Sequence, residues 1–262
     1  MKRIVVKVGS SSLTYSNGLL NFRKIETLSK VISDLANAGN EMILVSSGAV
    51  AAGMGVMKMN KRPEFLEEKQ AIASIGQCEL MAIYEKFFAE YQRHIGQLLL
   101  TKRVMKVESL KTNAINTINA LLKYKVIPII NENDSVATEE FSYGDNDTLA
   151  AITARIINAD LLILISDVDG LYDANPTQNP NAKLIHEVPK VTKAIEAMAG
   201  KAESNVGTGG MITKINAAKM VTEHGCEMVI VNGGKMEVLY DVIEGKTVGT
   251  RFKAKEQNNE ND

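Results

Sequence analysis

Residues Val126–Asp147 read VIPIINENDSVATEEFSYGDND. The apolar run Val126–Ile130 breaks abruptly into Asn131, Glu132, Asn133 and Asp134, and a second polar cluster follows at Asp145, Asn146 and Asp147. An apolar run bounded by turn residues predicts a buried strand of a parallel sheet. Ligands of open α/β sheets bind outside the carboxyl ends of the strands. Amides and carboxylates at such an end are poor packing material and good ligand-binding material. Amides donate to carboxylates, and carboxylates accept from ammonium groups, so a small zwitterion suits this set. Turn chemistry explains one cluster, since Asn and Asp favour turns, but explains two within seventeen residues less well. An EF-hand loop fails: counted from Asn131, the sixth and twelfth positions are Val136 and Ser142, where glycine and a bidentate glutamate are required.

Outward from this stretch, short apolar runs alternate with helical patterns. The runs are Arg3–Val8, Glu41–Ser46, Ile95–Leu100, Val126–Ile130, Leu161–Ile165 and Glu227–Val231. Phe22, Ile25, Leu28, Ile32, Leu35 and Ala36 recur at helical spacing, as do Leu110, Ala114, Ile118, Leu121 and Leu122. A long helix is predicted from about Phe65 to Tyr91, and another over Thr148–Asn158, with Asp147 just before it. This order implies an α/β fold in one domain: a parallel sheet covered by helices on both faces. Lys253–Asp262 reads as a polar tail.

Composition narrows the function. The 262 residues carry 30 Lys and Arg against 31 Asp and Glu, a formal net charge of −1, which announces neither a nucleic-acid nor an anionic-membrane partner. The densest apolar run, Leu161–Ile165, is far too short to span a bilayer. Met1-Lys2-Arg3 leads straight into a strand-like segment, with no signal-peptide pattern. Cys78 and Cys226 are isolated and the three histidines scattered, so a reduced cytoplasm is the simplest setting and no zinc pattern exists.

Three glycine-containing turns connect, or are placed to connect, sheet to helix: Lys7-Val8-Gly9-Ser10-Ser11-Ser12, Ser46-Ser47-Gly48-Ala49, and Gly207-Thr208-Gly209-Gly210-Met211-Ile212-Thr213-Lys214. Glycine lets backbone approach a phosphate, and free N–H groups at a helix start attract anions. None of the turns fits the P-loop or the dinucleotide fingerprint, and each alone reads as well as an ordinary βα turn. Three together favour phosphate binding. Lys7 sits inside an apolar strand, where a buried ammonium demands an anionic partner. Lys214, by periodicity alone, reads as a solvated lysine. Ser166-Asp167-Val168-Asp169-Gly170 closes another strand at the ligand-binding edge, as a turn, a helix cap or a nucleotide contact. Nucleophilic hydrolysis has little support, since there is no G-x-S-x-G elbow.

Taken in order, Lys7–Thr14, Ser46–Gly53, Ile129–Asp134, Gly144–Asp147, Ser166–Tyr172, Gly207–Lys214 and Val248–Phe252 resemble the amino acid kinase superfamily, and within it the members that phosphorylate glutamate. The resemblance runs from about Arg3 to Phe252. It implies a three-layer α/β/α sandwich with a mainly parallel sheet of about eight strands and a kinase domain over residues 1–252; as a departure from the pattern, the C-terminal PUA domain that many such kinases carry is expected to be absent. It also implies transfer of the γ-phosphoryl group of ATP to the side-chain carboxylate of L-glutamate. Lys7, Lys214 and Asp147 would be catalytic. Ser47, Asn131, Asp134, Asp145 and Asn146 would hold glutamate. Lys7, Gly9, Ser166, Asp167, Thr208, Gly209, Gly210, Met211, Ile212, Thr213 and Lys214 would hold ATP, with Mg²⁺ bound mainly through phosphates and water. Family expectations add proline as feedback inhibitor, product hand-over to glutamate-5-semialdehyde dehydrogenase, and a dimer or tetramer. Residues 135–143 become a candidate lid or inhibitor-sensing loop, and residues 200–210 a segment mobile without nucleotide. The rivals are an N-acetylglutamate or uridylate kinase and a non-catalytic amino-acid sensor on the same fold.

Overall fold

The six apolar runs become strands, the central ones buried on both faces and β3, residues 95–100, half-buried at the sheet edge, and the helices between them return the chain across the sheet in the βαβ manner. The computed structural model describes residues 1–101, 103–137, 146–201 and 210–255. In chain order the elements are β1 (Arg3–Val8), α1 (Ser10–Leu13), α2 (Phe22–Asn37), β2 (Glu41–Ser46), α3 (Ala49–Val56), α4 (Leu66–Glu90), β3 (Ile95–Leu100), α5 (Arg103–Lys106), α6 (Glu108–Lys123), β4 (Ile127–Glu132), α7 (Asn146–Ile156), β5 (Leu161–Ser166), β6 (Glu187–Val188), α8 (Lys193–Lys201), α9 (Met211–Thr222), β7 (Glu227–Asn232), α10 (Val238–Ile243) and β8 (Thr250–Phe252).

The eight-stranded sheet has the order β3-β4-β2-β1-β5-β7-β8-β6. Every pairing is parallel except β7 with β8. Strand side chains alternate between faces, and each face builds its own core. Ile4, Val6 and Val8 of β1 join Met42, Leu44, Ile163 and Ile165 against residues of α2, α4 and α10. Val5, Ile43, Val45, Leu162 and Leu164 join Ile130 and Ile230 against α6, α7 and α9. The result is the three-layer α/β/α sandwich. Among the described residues, no helix is long and apolar enough to cross a membrane.

Several boundaries differ from the sequence reading. β4 starts one residue late and runs through Asn131 and Glu132, because both pair with β3 in register. α7 begins at Asn146, which puts Asp147 in its first turn rather than ahead of it. β6 and β8 escaped the periodicity, being two and three residues long. Phe22 opens α2 but is 54% exposed, and Leu110 is exposed on α6. Of the supposed tail, Lys253 and Lys255 donate backbone N–H groups to Val188 O and Thr222 O, while residues 256–262 lie outside the described residues.

Two helices meet more closely than ordinary packing allows. A Cβ on Gly76 of α4 would fall far inside contact with Ala49 O and Gly53 N of α3, and one on Gly53 far inside contact with Ile72 O. Small residues thus bring the α3 and α4 backbones together. α3 starts directly after Ser47 and Gly48, whose φ of +110° turns the chain out of β2. The α3–α4 contact therefore sets where Ser47 stands at the sheet edge.

Candidate active site

In a parallel sheet all carboxyl ends share one edge. Here that edge gathers Lys7 (β1), Ser46 (β2) with Ser47 just after it, Asn131 and Glu132 (β4), Ser166 (β5) and Asn232 (β7). Lys7 shares its face with Val5, so its side chain enters the layer of α7 and α9 rather than solvent. α7 packs over β1, β2, β4 and β5 and against α9, so its amino end lies over the middle of this edge.

Asp147, with 0% exposure, joins these parts. Lys7 Nζ lies 2.6 Å from its Oδ1, and Lys214 Nζ donates to its Oδ2 at 3.0 Å. The Thr213 hydroxyl also lies within hydrogen-bonding distance of Oδ2, at 3.1 Å, and of Gly210 O, at 2.8 Å. Lys214, 5% exposed, is not the solvated lysine its periodicity suggested. It is the fourth residue of α9, and the turn that begins at Gly210 directs it inward to Asp147. A lone buried charge is untenable, but two ammonium groups sharing one carboxylate are paired and leave one net positive charge. The amino end of α9 adds its own partial positive charge beside Lys214. The arrangement is built to attract an anion.

Burial pushes the Asp147 carboxyl up, but the Lys7 and Lys214 ammonium groups and their hydrogen bonds outweigh burial and hold it below the usual carboxylate range. The sign for stability follows. A depressed carboxylate stabilises fully above its unfolded value of about 3.9 and loses that contribution as pH falls through the folded value. Urea midpoints measured from pH 7 to pH 3 are therefore expected to fall more steeply below about pH 4 for the parent than for Asp147→Asn. Parallel acid limbs would contradict this.

Asp147 is preceded by Asn146, which starts a second network. Asn146 Nδ2 donates to Ser47 Oγ (2.8 Å), Asn131 Oδ1 (2.9 Å) and, more distantly, Ser46 O (3.3 Å). Asn131 Nδ2 donates to Gln77 Oε1 at 2.9 Å, and its Oδ1 also accepts from the Glu132 N–H at 2.9 Å. Ser46 Oγ meets the hydroxyl of fully buried Tyr84 at 2.8 Å. Ser47, Asn131 and Asn146 are thus brought together, one residue along from the lysine pair. Asp134 follows β4 half-buried; burial pushes its carboxyl up, against the Arg62 guanidinium. Asp145 lies outside the described residues, as do Thr208 and Gly209, most of the 200–210 segment and residues 138–143 of the candidate lid.

Of the residues the sequence assigned to the nucleotide, Gly9 caps α1, and a Cβ there would stand 3.5 Å from Lys7 Nζ. Ser166 Oγ donates to Asp167 Oδ1 at 3.1 Å, and Asp167 is exposed. Among the described residues a Cβ on Gly210 would meet nothing within 4 Å, and Ile212 is 42% exposed. Met211 and Thr213 are half-buried beside it. Among the described residues, no group of three or more His, Cys, Asp or Glu is placed to hold a metal ion. Gln77 was missed in the sequence: a glutamine within a long helix carries no local sign of burial.

The chain belongs to the amino acid kinase family, which matches residues 2–232. Within that family it is 50% identical over 258 residues to the Glutamate 5-kinase of Clostridium perfringens, covering 97% of this chain and 96% of the relative. It is 55% identical over 254 residues to the Glutamate 5-kinase of Clostridium tetani, covering 97% and 95%. Among solved structures, the UMP kinase of Ureaplasma parvum matches with a TM-score of 0.65 at 18% identity, covering 96% of this chain and 98% of the other. The carbamate kinase of Giardia lamblia bound to AMP-PNP matches with a TM-score of 0.69 at 14% identity, covering 97% and 99%. The latter two share the fold.

Proposed function

We propose that this protein transfers the γ-phosphoryl group of ATP to the side-chain carboxylate of L-glutamate, giving L-glutamyl 5-phosphate, the first step toward proline. The observation that carries the reading is the Lys7–Asp147–Lys214 bridge standing beside the Ser47–Asn131–Asn146 network. The identity to proteins named glutamate 5-kinase supports the choice of acceptor.

The attacking carboxylate, with an ordinary pKa of about 4.3, is already ionised at neutral pH, so no general base is required. The difficulty is to bring two anions together, and phosphoryl transfer is mainly positioning and charge stabilisation. Lys7 and Lys214 stabilise the equatorial oxygens of the transferring group. Gly9 and Gly210 bring backbone N–H groups to the phosphates. Asp147 keeps the two ammonium groups apart and aimed, and takes no proton. Ser166, Asp167 and residues 208–213 line the nucleotide. Mg²⁺ accompanying ATP would supply charge neutralisation and, being reluctant to dehydrate, would need no ligand from this chain. Asp134 and Asp145 take the α-ammonium of glutamate, while Ser47 and Asn131 meet its carboxylates. The same proposal places the enzyme in the cytoplasm as a dimer or tetramer. It also includes inhibition by proline and hand-over of product to glutamate-5-semialdehyde dehydrogenase.

ADP release in the presence of ATP and Mg²⁺ tests the acceptor. Release is expected with L-glutamate and not with N-acetylglutamate or UMP; the reverse preference would sink the reading. Asp134→Ala and Asn146→Ala are each expected to raise the glutamate KM roughly tenfold or more, since each strips a polar partner from a ligand group. An unchanged KM in both would remove the proposed glutamate site.

A further inference from the structure

We infer that Gln77 is a positioning residue of this site: its side-chain oxygen accepts from the buried Asn131 amide and so holds the Asn131 and Asn146 amides in the one orientation their backbone neighbours allow, with Asn146 presenting an acceptor to the substrate. The inference rests on the glutamate reading above. The polarity of the network follows from groups whose roles cannot change. The Glu132 backbone N–H only donates, so the Asn131 atom facing it is Oδ1. Nδ2 of Asn131 must then face Gln77, which answers with Oε1. At the other end, Ser46 O only accepts, so the Asn146 atom beside it and beside Asn131 Oδ1 is Nδ2. No tautomer or amide flip satisfies both backbone anchors otherwise.

Two consequences bear on the substrate. Asn146 Nδ2 has two hydrogens and already faces Ser47 Oγ, Asn131 Oδ1 and Ser46 O, so it has nothing left to donate. Among the described residues no donor reaches Asn146 Oδ1, which leaves an acceptor suited to the α-ammonium of a zwitterion. An N-acylated substrate offers one amide hydrogen there in place of three ammonium hydrogens. Gln77 holds this polarity from the interior: it is buried on α4, in the helix that Gly76 presses against α3. Without the Gln77 oxygen, the buried Asn131 Nδ2 loses its acceptor, and the orientation that satisfies it competes with the one Asn146 needs.

The test compares Gln77→Met, similar in shape but without the strong acceptor, with Gln77→Glu, which keeps an oxygen in place. Gln77→Met is expected to raise the glutamate KM roughly tenfold, with the ATP KM within about twofold of the parent. Gln77→Glu is expected to stay within about threefold on both. The inference is overturned by a Gln77→Met glutamate KM close to the parent's, by an ATP KM that rises in step, or by a Gln77→Glu variant as impaired as Gln77→Met. Should Gln77→Met fail to fold, Gln77→Asn, which withdraws the amide by one methylene, takes its place in the same comparison. A parent inert with glutamate overturns the functional reading and this inference together; an active parent with an indifferent Gln77→Met overturns this inference alone.

Discussion

Lys214→Ala is expected to lower glutamate-dependent turnover roughly a hundredfold or more, the usual effect of removing a preorganised charge from a developing anionic transition state. The fold should survive the change, because Asp147 keeps Lys7 at 2.6 Å and Thr213 at 3.1 Å. Lys7→Ala should act alike from the opposite side, with Lys214 and Thr213 left as partners. The fall should appear in kcat at saturating glutamate, because the lysines serve the phosphoryl group rather than the amino acid. Lys219→Ala is the matching control: this lysine lies further along α9, about half exposed, and pairs with Glu196. It should turn over within about twofold of the parent, as surface ion pairs contribute little. Near-normal turnover in Lys7→Ala or Lys214→Ala would mean that the bridge is an internal salt link and nothing more.

The second large effect is structural. Gly76→Ala places a methyl group against backbone atoms of Ala49 and Gly53, which cannot move as the tip of a side chain can. A loss of about 3 kcal/mol or more is expected, at the upper end of overpacking penalties. That is a large part of the stability of a typical domain. Because α3 and α4 must separate, Ser47 and Gln77 shift with them, and surviving protein should show a raised glutamate KM as well as a lower urea midpoint. Ala71→Gly would be a poor control, since it acts through helix propensity; Ser74→Ala, on the exposed side of the same helix, is the better one and should change little. A Gly76→Ala protein as stable as the parent would show that the close approach of the two helices is not needed.

How much of this was legible in the sequence depended on which physical signal was in play. Strands buried on both faces are continuous apolar runs, so Arg3–Val8 and Glu41–Ser46 coincide with β1 and β2, and the apolar run Ile95–Leu100 coincides with β3 although that strand is only half-buried at the sheet edge. The end of β4 did not, because Asn131 and Glu132 are polar yet hydrogen-bonded into the ladder. β6 and β8 are too short for any periodicity to register. At the site, Lys7 announced itself as a charge inside an apolar strand. Lys214 did not, since nothing in its helical pattern distinguishes an inward lysine from a solvated one; its partner Asp147 lies far away in sequence. Gln77 was invisible for the same reason, its partner Asn131 lying 54 residues further along.

The most direct test of the central claim is to trap the product. An acyl phosphate reacts with hydroxylamine to give a hydroxamate, whereas hydrolysis of ATP gives none. With ATP, Mg²⁺, L-glutamate and excess hydroxylamine, the protein should form glutamyl hydroxamate in step with ADP, and Lys214→Ala should lose both together. ADP released without hydroxamate, or released equally when glutamate is omitted, would contradict the account.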